Sequence, residues 1–333
     1  MTVARELPRG LIDASAPPEH RGIPRDGVRM LVTDRERRTH AQRHFFDLPS
    51  MLQPGDVLVV NDSATLPAAL PAWRRNGIAL PLHVSTRIDE RLWTTEPRGR
   101  VTRGEQLLLP EGGSAVTIAP VDPERPRLWY TWFQLPLPMN AYLHRFGEPI
   151  RYGYVKKRFP IADYQTVFAR EPGSAEMPSA ARPFTLRVVD ALQAHGVSIA
   201  TITLHCGVAS FEAPELPPSE RFAVPAVTAD AVNAARKQGR RVIAAGTSAV
   251  RALESAVRDG NVTAAAGWTD LIIRRPEQIQ AVDGLLTGFH TAAATHQWLL
   301  QAFLEPELLA QAYDEAAEHG YFQHEFGDLH LIV

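Results

Sequence analysis

The chain has one cysteine, Cys206, in 333 residues. That excludes an internal disulfide and any multi-cysteine zinc site. Lysine is almost as scarce: Lys156, Lys157 and Lys237 are the only three, so arginine supplies nearly all of the positive charge. The two signs balance to a formal net charge of −2, which excludes a globally basic nucleic-acid binder but leaves room for a local basic patch. No uninterrupted apolar run approaches the roughly 20 residues that a membrane-spanning helix needs. The opening "MTVARELPRGLIDASAPPEHRG" lacks the basic-then-apolar pattern of a secretory signal. These absences point to a soluble cytoplasmic protein with no membrane partner.

What is present is ordinary for a globular enzyme: 45% hydrophobic and 22% charged residues, on a chain long enough for two domains. "GVRMLVTD" reads as a strand, and "DVLVVND" as a buried strand ending at Asn61-Asp62. Between about residues 70 and 150 the texture changes. Short alternating runs ("ALPLHVST", "RLWTTEP", "SAVTIAP", "RLWYTWFQL") are separated by Gly, Pro and charged turns, which is the pattern of a small antiparallel sheet or barrel. Beyond Tyr154, helix-length and strand-length segments alternate. "TLRVVDALQAHG" predicts an amphipathic helix ended by Gly196, "VSIATITLHCG" a strand, "TADAVNAARKQG" a helix and "DLHLIV" a last strand. The expected fold is therefore α/β: a largely parallel sheet flanked by helices, formed by residues 1–69 and 151–333. An inserted all-β, barrel-like domain interrupts it over residues 70–150.

Ligands of α/β sheets bind beyond the carboxyl ends of the strands. Those ends carry Asn61-Asp62, His205-Cys206 and Gly246-Thr247-Ser248. In "RVIAAGTSAVRALESAV", Arg251 follows within the first turn of the helix that Gly246 introduces. A cation at that positive helix end calls for a compensating anion. Glu254, three residues on, is one candidate; the carboxylate or phosphate of a ligand is the other. Thr247 or Ser248 could also act simply as a helix cap. His205 and His290 each admit two readings, acid/base catalysis or plain structural satisfaction. A Cys206–His205 nucleophile pair is disfavoured, because adjacent strand residues point to opposite faces. His296, His319, His324 and His330 have no zinc-type spacing, and no metal is assigned. The basic clusters "VKKRF", "RKQGRR" and "IIRRP" read as solvated faces.

In order, "LQPGDVLVVNDSATLPAAL", "YQTVFAREPGSAEMPSA", "VSIATITLHCGVASF", "RVIAAGTSAVRALES", "AVDGLLTGFH" and "FGD" resemble the S-adenosylmethionine:tRNA ribosyltransferase-isomerases of queuosine biosynthesis. The resemblance runs from about Leu31 to Val333. It implies an α/β fold with an inserted β-barrel and transfer and isomerisation of the ribosyl part of S-adenosylmethionine, a consumed co-substrate. The acceptor it implies is 7-aminomethyl-7-deazaguanine in the tRNA anticodon loop. Epoxyqueuosine forms while adenine and methionine leave. On this resemblance His205 or His290 is cast as the acid/base. Arg251, with Gly246, Thr247 and Ser248, anchors the carboxylate or ribose of S-adenosylmethionine; Glu254 orients the guanidinium, and Asn61 is a hydrogen-bonding partner.

The chain also departs from the family pattern. Where the family reads roughly "FNDTRVIPARL", Ala64 and Ala69 replace two arginines; in its "PTAGLHF" segment, Arg182 and Pro183 replace leucine and histidine. Glycine is lost at Val208 or Ala209, and Gly288 replaces the asparagine of "NFHLPxSTL". Two alternatives follow. One is a divergent paralogue that binds S-adenosylmethionine but uses a small-molecule acceptor or only cleaves it. The other is a non-catalytic binding protein on the same fold.

Overall fold

In the computed structural model, residues 10–208, 216, 218–291 and 296–333 are described; Ala209 lies outside them. Their centre is a nine-stranded sheet. Its order is Ala265–Thr269, Glu220–Val224, Ser198–Leu204, Val57–Asn61, Val242–Ala245, Gly284–Gly288, Leu329–Ile332, Arg29–Asp34 and Thr39–His44. The four strands from Ser198–Leu204 to Gly284–Gly288 run parallel. The flanks do not. Glu220–Val224 and Ala265–Thr269 are added antiparallel on one side, and Leu329–Ile332 runs antiparallel to Gly284–Gly288 on the other. The sheet is thus mixed, parallel only in its middle and at the Leu329–Ile332/Arg29–Asp34 pair. Short connections such as the turn between Arg29–Asp34 and Thr39–His44 allow only antiparallel pairing, which needs no crossover.

The uninterrupted apolar run at Val57–Val60 follows from burial on both faces of the sheet. Val57 and Val59 pack with the helices Ala226–Lys237, Thr247–Ser255, His296–Phe303 and Pro306–Glu318. Leu58 and Val60 pack on the opposite face with Phe45, Phe184 and the Leu186–Ala194 helix. That last helix starts as its sequence predicts, with the Thr185 side chain accepting from the Val188 N–H, and Gly196 takes φ +87° just past its end.

Residues 69–134 supply a separate seven-stranded antiparallel sheet with a core of its own around Leu82, Trp93, Leu107, Phe133 and Tyr142. Its terminal strands, Ala69–Leu70 and Trp73–Arg74, are two residues long and are not paired with each other. It is a curled, open sheet rather than a closed barrel, because such short strands cannot supply the last ladder. The chain returns to the main sheet beside the place where it left. Ala69 and Glu148 exchange backbone hydrogen bonds of 2.8 and 3.0 Å. A second tie joins the sheets where the Val208 N–H donates to Ser85 Oγ at 2.9 Å. No helix among the described residues is long and apolar enough to cross a membrane.

Gly147 fixes the return. A Cβ there would stand 1.9 Å from the Pro67 carbonyl oxygen and 2.7 Å from that of Leu143. Gly147→Ala must therefore push the two crossing chains apart. The expected cost is about 1–3 kcal/mol, read as a lower urea midpoint with an unchanged slope.

Candidate functional site

The carboxyl ends of the central strands are drawn together by one side chain. Asn61 is fully buried. Its Nδ2 donates to the Leu204 carbonyl (2.8 Å) and to Ser248 Oγ (3.1 Å); its Oδ1 accepts from the N–H groups of Leu204 (3.0 Å) and Ser63 (3.1 Å). Both donors and both acceptor positions of the amide are thereby used. Gly246 caps the Thr247–Ser255 helix with φ +98°, a backbone state that suits glycine. Neither Thr247 nor Ser248 caps that helix with its side chain, and the Ser248 hydroxyl is taken by Asn61.

Beside this junction lies a cavity of about 510 Å³. Of the residues expected at a site, Gly246, Thr247, Ser248, Arg251 and His290 line it, and Asn61, His205 and Glu254 do not. The anion that compensates Arg251 is Glu220, whose carboxylate accepts from Nη1. Nε and Nη2 of Arg251 donate to the carbonyls of Leu271 (3.0 Å) and Thr269 (3.3 Å). The expected contact with Glu254 is absent from this set. Glu254 turns away to accept the N–H groups of Gln280 (2.9 Å) and Ala281 (3.0 Å), which fix the approach to the Gly284–Gly288 strand. Glu220 is also held by the Gly207 N–H at 2.7 Å. It reaches Arg251 from the neighbouring antiparallel strand, so no local spacing on the helix could reveal it.

Just past the end of the Ser198–Leu204 strand, His205 and Cys206 still point to opposite sides. Cys206 faces the cavity, where burial raises its thiol pKa strongly. His205 therefore points the other way. Its Nδ1 pairs with Ser63 Oγ at 2.8 Å, and its ring lies so close to Gly173 that a Cβ there would come within 2.4 Å of Nδ1.

His290 does line the cavity, stacked face to face on His296 with ring centroids 4.1 Å apart. Its Nε2 is 3.2 Å from Thr287 Oγ1, and its backbone N–H donates to the Tyr313 hydroxyl. Burial, then the neighbouring His296, hold the His290 pKa well below the usual value; burial and Arg251 bring His296 down to about 4. Both rings are neutral at pH 7. A neutral imidazole can accept a proton.

Another part of the lining comes from residues that sequence reasoning did not assign to a site, and it adjoins His290, since the His324 N–H donates to the Phe289 carbonyl at 3.2 Å. Tyr152 and Tyr154, on the connection back from the antiparallel sheet, donate to the carboxylates of Glu176 and Glu325. His324 stacks on Tyr154 at 4.0 Å, and its Nε2 meets Asp13 at 2.9 Å. The one signal available was a lone charge among small and apolar residues, Glu176 in "SAEMPSA". Among the departures from the family pattern, Gly288 lines the cavity, whereas Ala64 and Ala69 do not. Arg182, Pro183 and Gly288 together border a small hollow behind His324 and Glu325.

Two predictions follow from these contacts. Glu220→Gln leaves the guanidinium of Arg251 buried without its counter-charge and is expected to cost about 3–5 kcal/mol in chemical denaturation. The histidine pair makes stability depend on pH. Unfolded histidines take up protons near pH 6.5, whereas His296 resists until about 4 and His290 likewise stays neutral. Their contribution is complete above pH 6.5 and is lost as the pH falls towards 4. Melting curves between pH 7.5 and 4.5 should therefore show a decline that shrinks in a His296→Gln variant.

Residues 4–332 match the family described as queuosine biosynthesis protein. The S-adenosylmethionine:tRNA ribosyltransferase-isomerase of Moorella thermoacetica is 39% identical, with 98% of each chain covered. That of Thermus thermophilus is 36% identical, over 96% of this chain and 98% of its own. Among solved structures, the S-adenosylmethionine tRNA ribosyltransferase of Thermotoga maritima matches with a TM-score of 0.56 at 29% identity, covering 99% of both chains. By motif order, length and fold, this chain belongs to the queuosine biosynthesis protein family.

Proposed function

We propose that this chain transfers and isomerises the ribosyl part of S-adenosylmethionine onto 7-aminomethyl-7-deazaguanine in tRNA, giving epoxyqueuosine and releasing adenine and methionine. Family membership over nearly the whole chain and the names carried by its relatives support this activity. The observation that carries it is the cavity itself. One partly open cavity of about 510 Å³ holds a neutral histidine pair, the start of a helix and three carboxylates.

The chemistry starts with loss of a proton from the carbon beside the sulfonium, whose positive charge acidifies it. His290 is the proton acceptor, since it lines the cavity and is kept neutral. The helix start at Gly246, Thr247 and Ser248 offers partial positive charge and hydroxyls to the carboxylate or ribose of S-adenosylmethionine. Arg251 supports that anchor from behind, already tied to Glu220 and two carbonyls. Asn61 and Glu254 act on geometry, and His205 is given no part in proton transfer. In this reading residues 1–69 and 151–333 hold the co-substrate, and residues 70–150 form the inserted part.

Purified protein incubated with S-adenosylmethionine is expected to release adenine and methionine only when tRNA bearing 7-aminomethyl-7-deazaguanine is added. Mass spectrometry should show the matching gain on the modified nucleoside. His290→Gln should lower that rate by about 10²–10⁴-fold, the usual contribution of a general base. Release without tRNA would instead point to a small-molecule acceptor, and absence of both products would overturn the activity.

A further inference from the structure

The part of the lining around Tyr152, Tyr154 and Tyr164 is chemically unlike the rest of the cavity. Glu176 and Glu325 stand there, each accepting from a tyrosine hydroxyl, Tyr152 and Tyr154 respectively. Thr65 and Tyr164 belong to the same lining, and their hydroxyl oxygens are covered and without a hydrogen-bond partner among the described residues. Both residues are only 3% exposed. A buried hydroxyl left unpaired costs about 1–3 kcal/mol, so two in one cavity wall mark groups whose partner arrives with a ligand.

The surrounding packing leaves these groups little freedom to find partners elsewhere. The Tyr164 ring is fixed edge-on against Phe326 at 5.0 Å. Thr65 is clamped through its backbone, its N–H donating to Gln165 Oε1 (3.0 Å) and its carbonyl accepting from Gln165 Nε2 (2.7 Å). Burial raises the Glu325 pKa, a shift that a bound cation would reverse. A group with several N–H donors and a positive charge satisfies this wall: carboxylates take the charge, and the free hydroxyl oxygens accept further N–H bonds.

We propose that Glu325 and Glu176, with the unpartnered hydroxyls of Tyr164 and Thr65, form a subsite for a primary ammonium group. The inference rests on the ribosyl-transfer reading, which supplies two sources of such a group: the aminomethyl arm of the acceptor base and the methionyl end of S-adenosylmethionine. The wall is built by the connection returning from the antiparallel sheet together with the Glu176 and Glu325 loops. Thr65, on the Ser63–Thr65 strand just beyond Asn61, and the Glu176 N–H on the Cys206 carbonyl tie it to the strand-end junction.

The test uses the full chain and compares wild type with Glu325→Gln and Tyr164→Phe. Calorimetric titration measures affinity for S-adenosylmethionine. Filter binding measures affinity for tRNA carrying 7-aminomethyl-7-deazaguanine against the same tRNA carrying the uncharged 7-cyano base. Loss of the aminomethyl-over-cyano preference by about tenfold or more, with S-adenosylmethionine affinity unchanged, assigns the subsite to the acceptor. A comparable loss for S-adenosylmethionine alone assigns it to the methionyl ammonium. Tyr164→Phe removes only a hydroxyl that has no partner, so it should keep the melting temperature while weakening the same ligand several-fold. That arm stands even if Glu325→Gln fails to fold. If folded variants bind every ligand as wild type does, the subsite is overturned. These readings are of binding alone, so they remain separate from the turnover experiment: a wild type that releases no adenine removes the activity, not the ammonium site.

Discussion

The strand-end side of the cavity depends on the amide of Asn61. The parallel strands Val57–Asn61 and Ser198–Leu204 end side by side, and the Thr247–Ser255 helix begins at the end of a third, Val242–Ala245. Backbone ladders align strands but stop where the strands stop. From there the two hydrogen bonds of Asn61 to Leu204, with those to Ser63 and Ser248, carry the alignment forward. In a buried site such an arrangement is stiff, because losing one partner leaves a desolvated polar group behind. The side chain touches no ligand space, yet it sets where Ser248 and Cys206 enter it.

The Arg251–Glu220 pair shows which part of a site a sequence can disclose. Arg251 near a positive helix end correctly demands an anion, and that demand is legible from charge and helix polarity alone. The identity of the anion is not. Glu220 lies 31 positions away, on a strand added antiparallel at the flank of the sheet. Glu254 sits at a favourable helical spacing, but its carboxylate is worth more accepting two backbone N–H groups, that of Ala281 buried, than pairing on a helix surface. The same limit applies to the wall of Tyr152, Tyr154 and Tyr164. Those residues occupy a connection without periodicity, and only the return of the chain beside Ala69 brings them to the cavity.

The fold was legible further. Helix boundaries at Thr185 and Gly196, the buried strand at Val57–Val60 and the short antiparallel runs after residue 69 all follow local chemistry. Two features were not: the antiparallel flanks of the main sheet and the open edge of the second. Both depend on which strands meet across long stretches of chain, and hydrophobic alternation is the same for parallel and antiparallel neighbours. Strand alternation did separate His205 from Cys206, but it could not say which of the two faced inward.

The departures from the family pattern make physical sense as a local exchange of partners. Arg182, where the pattern has leucine, is buried with its Nε donating to the Asp163 carbonyl (2.8 Å) and its Nη2 on the Glu19 carboxylate (3.0 Å). Its guanidinium also lies over the Phe326 ring at 5.2 Å. A guanidinium there is tolerable only because Glu19 and a carbonyl meet it, so Arg182 and the segment carrying Glu19 form one structural unit. Pro183 and Gly288, which replace two side chains with hydrogen-bonding capacity, border the same hollow and need no polar partner from it. His324 and Glu325, which also border that hollow, are met by Asp13 and Tyr154.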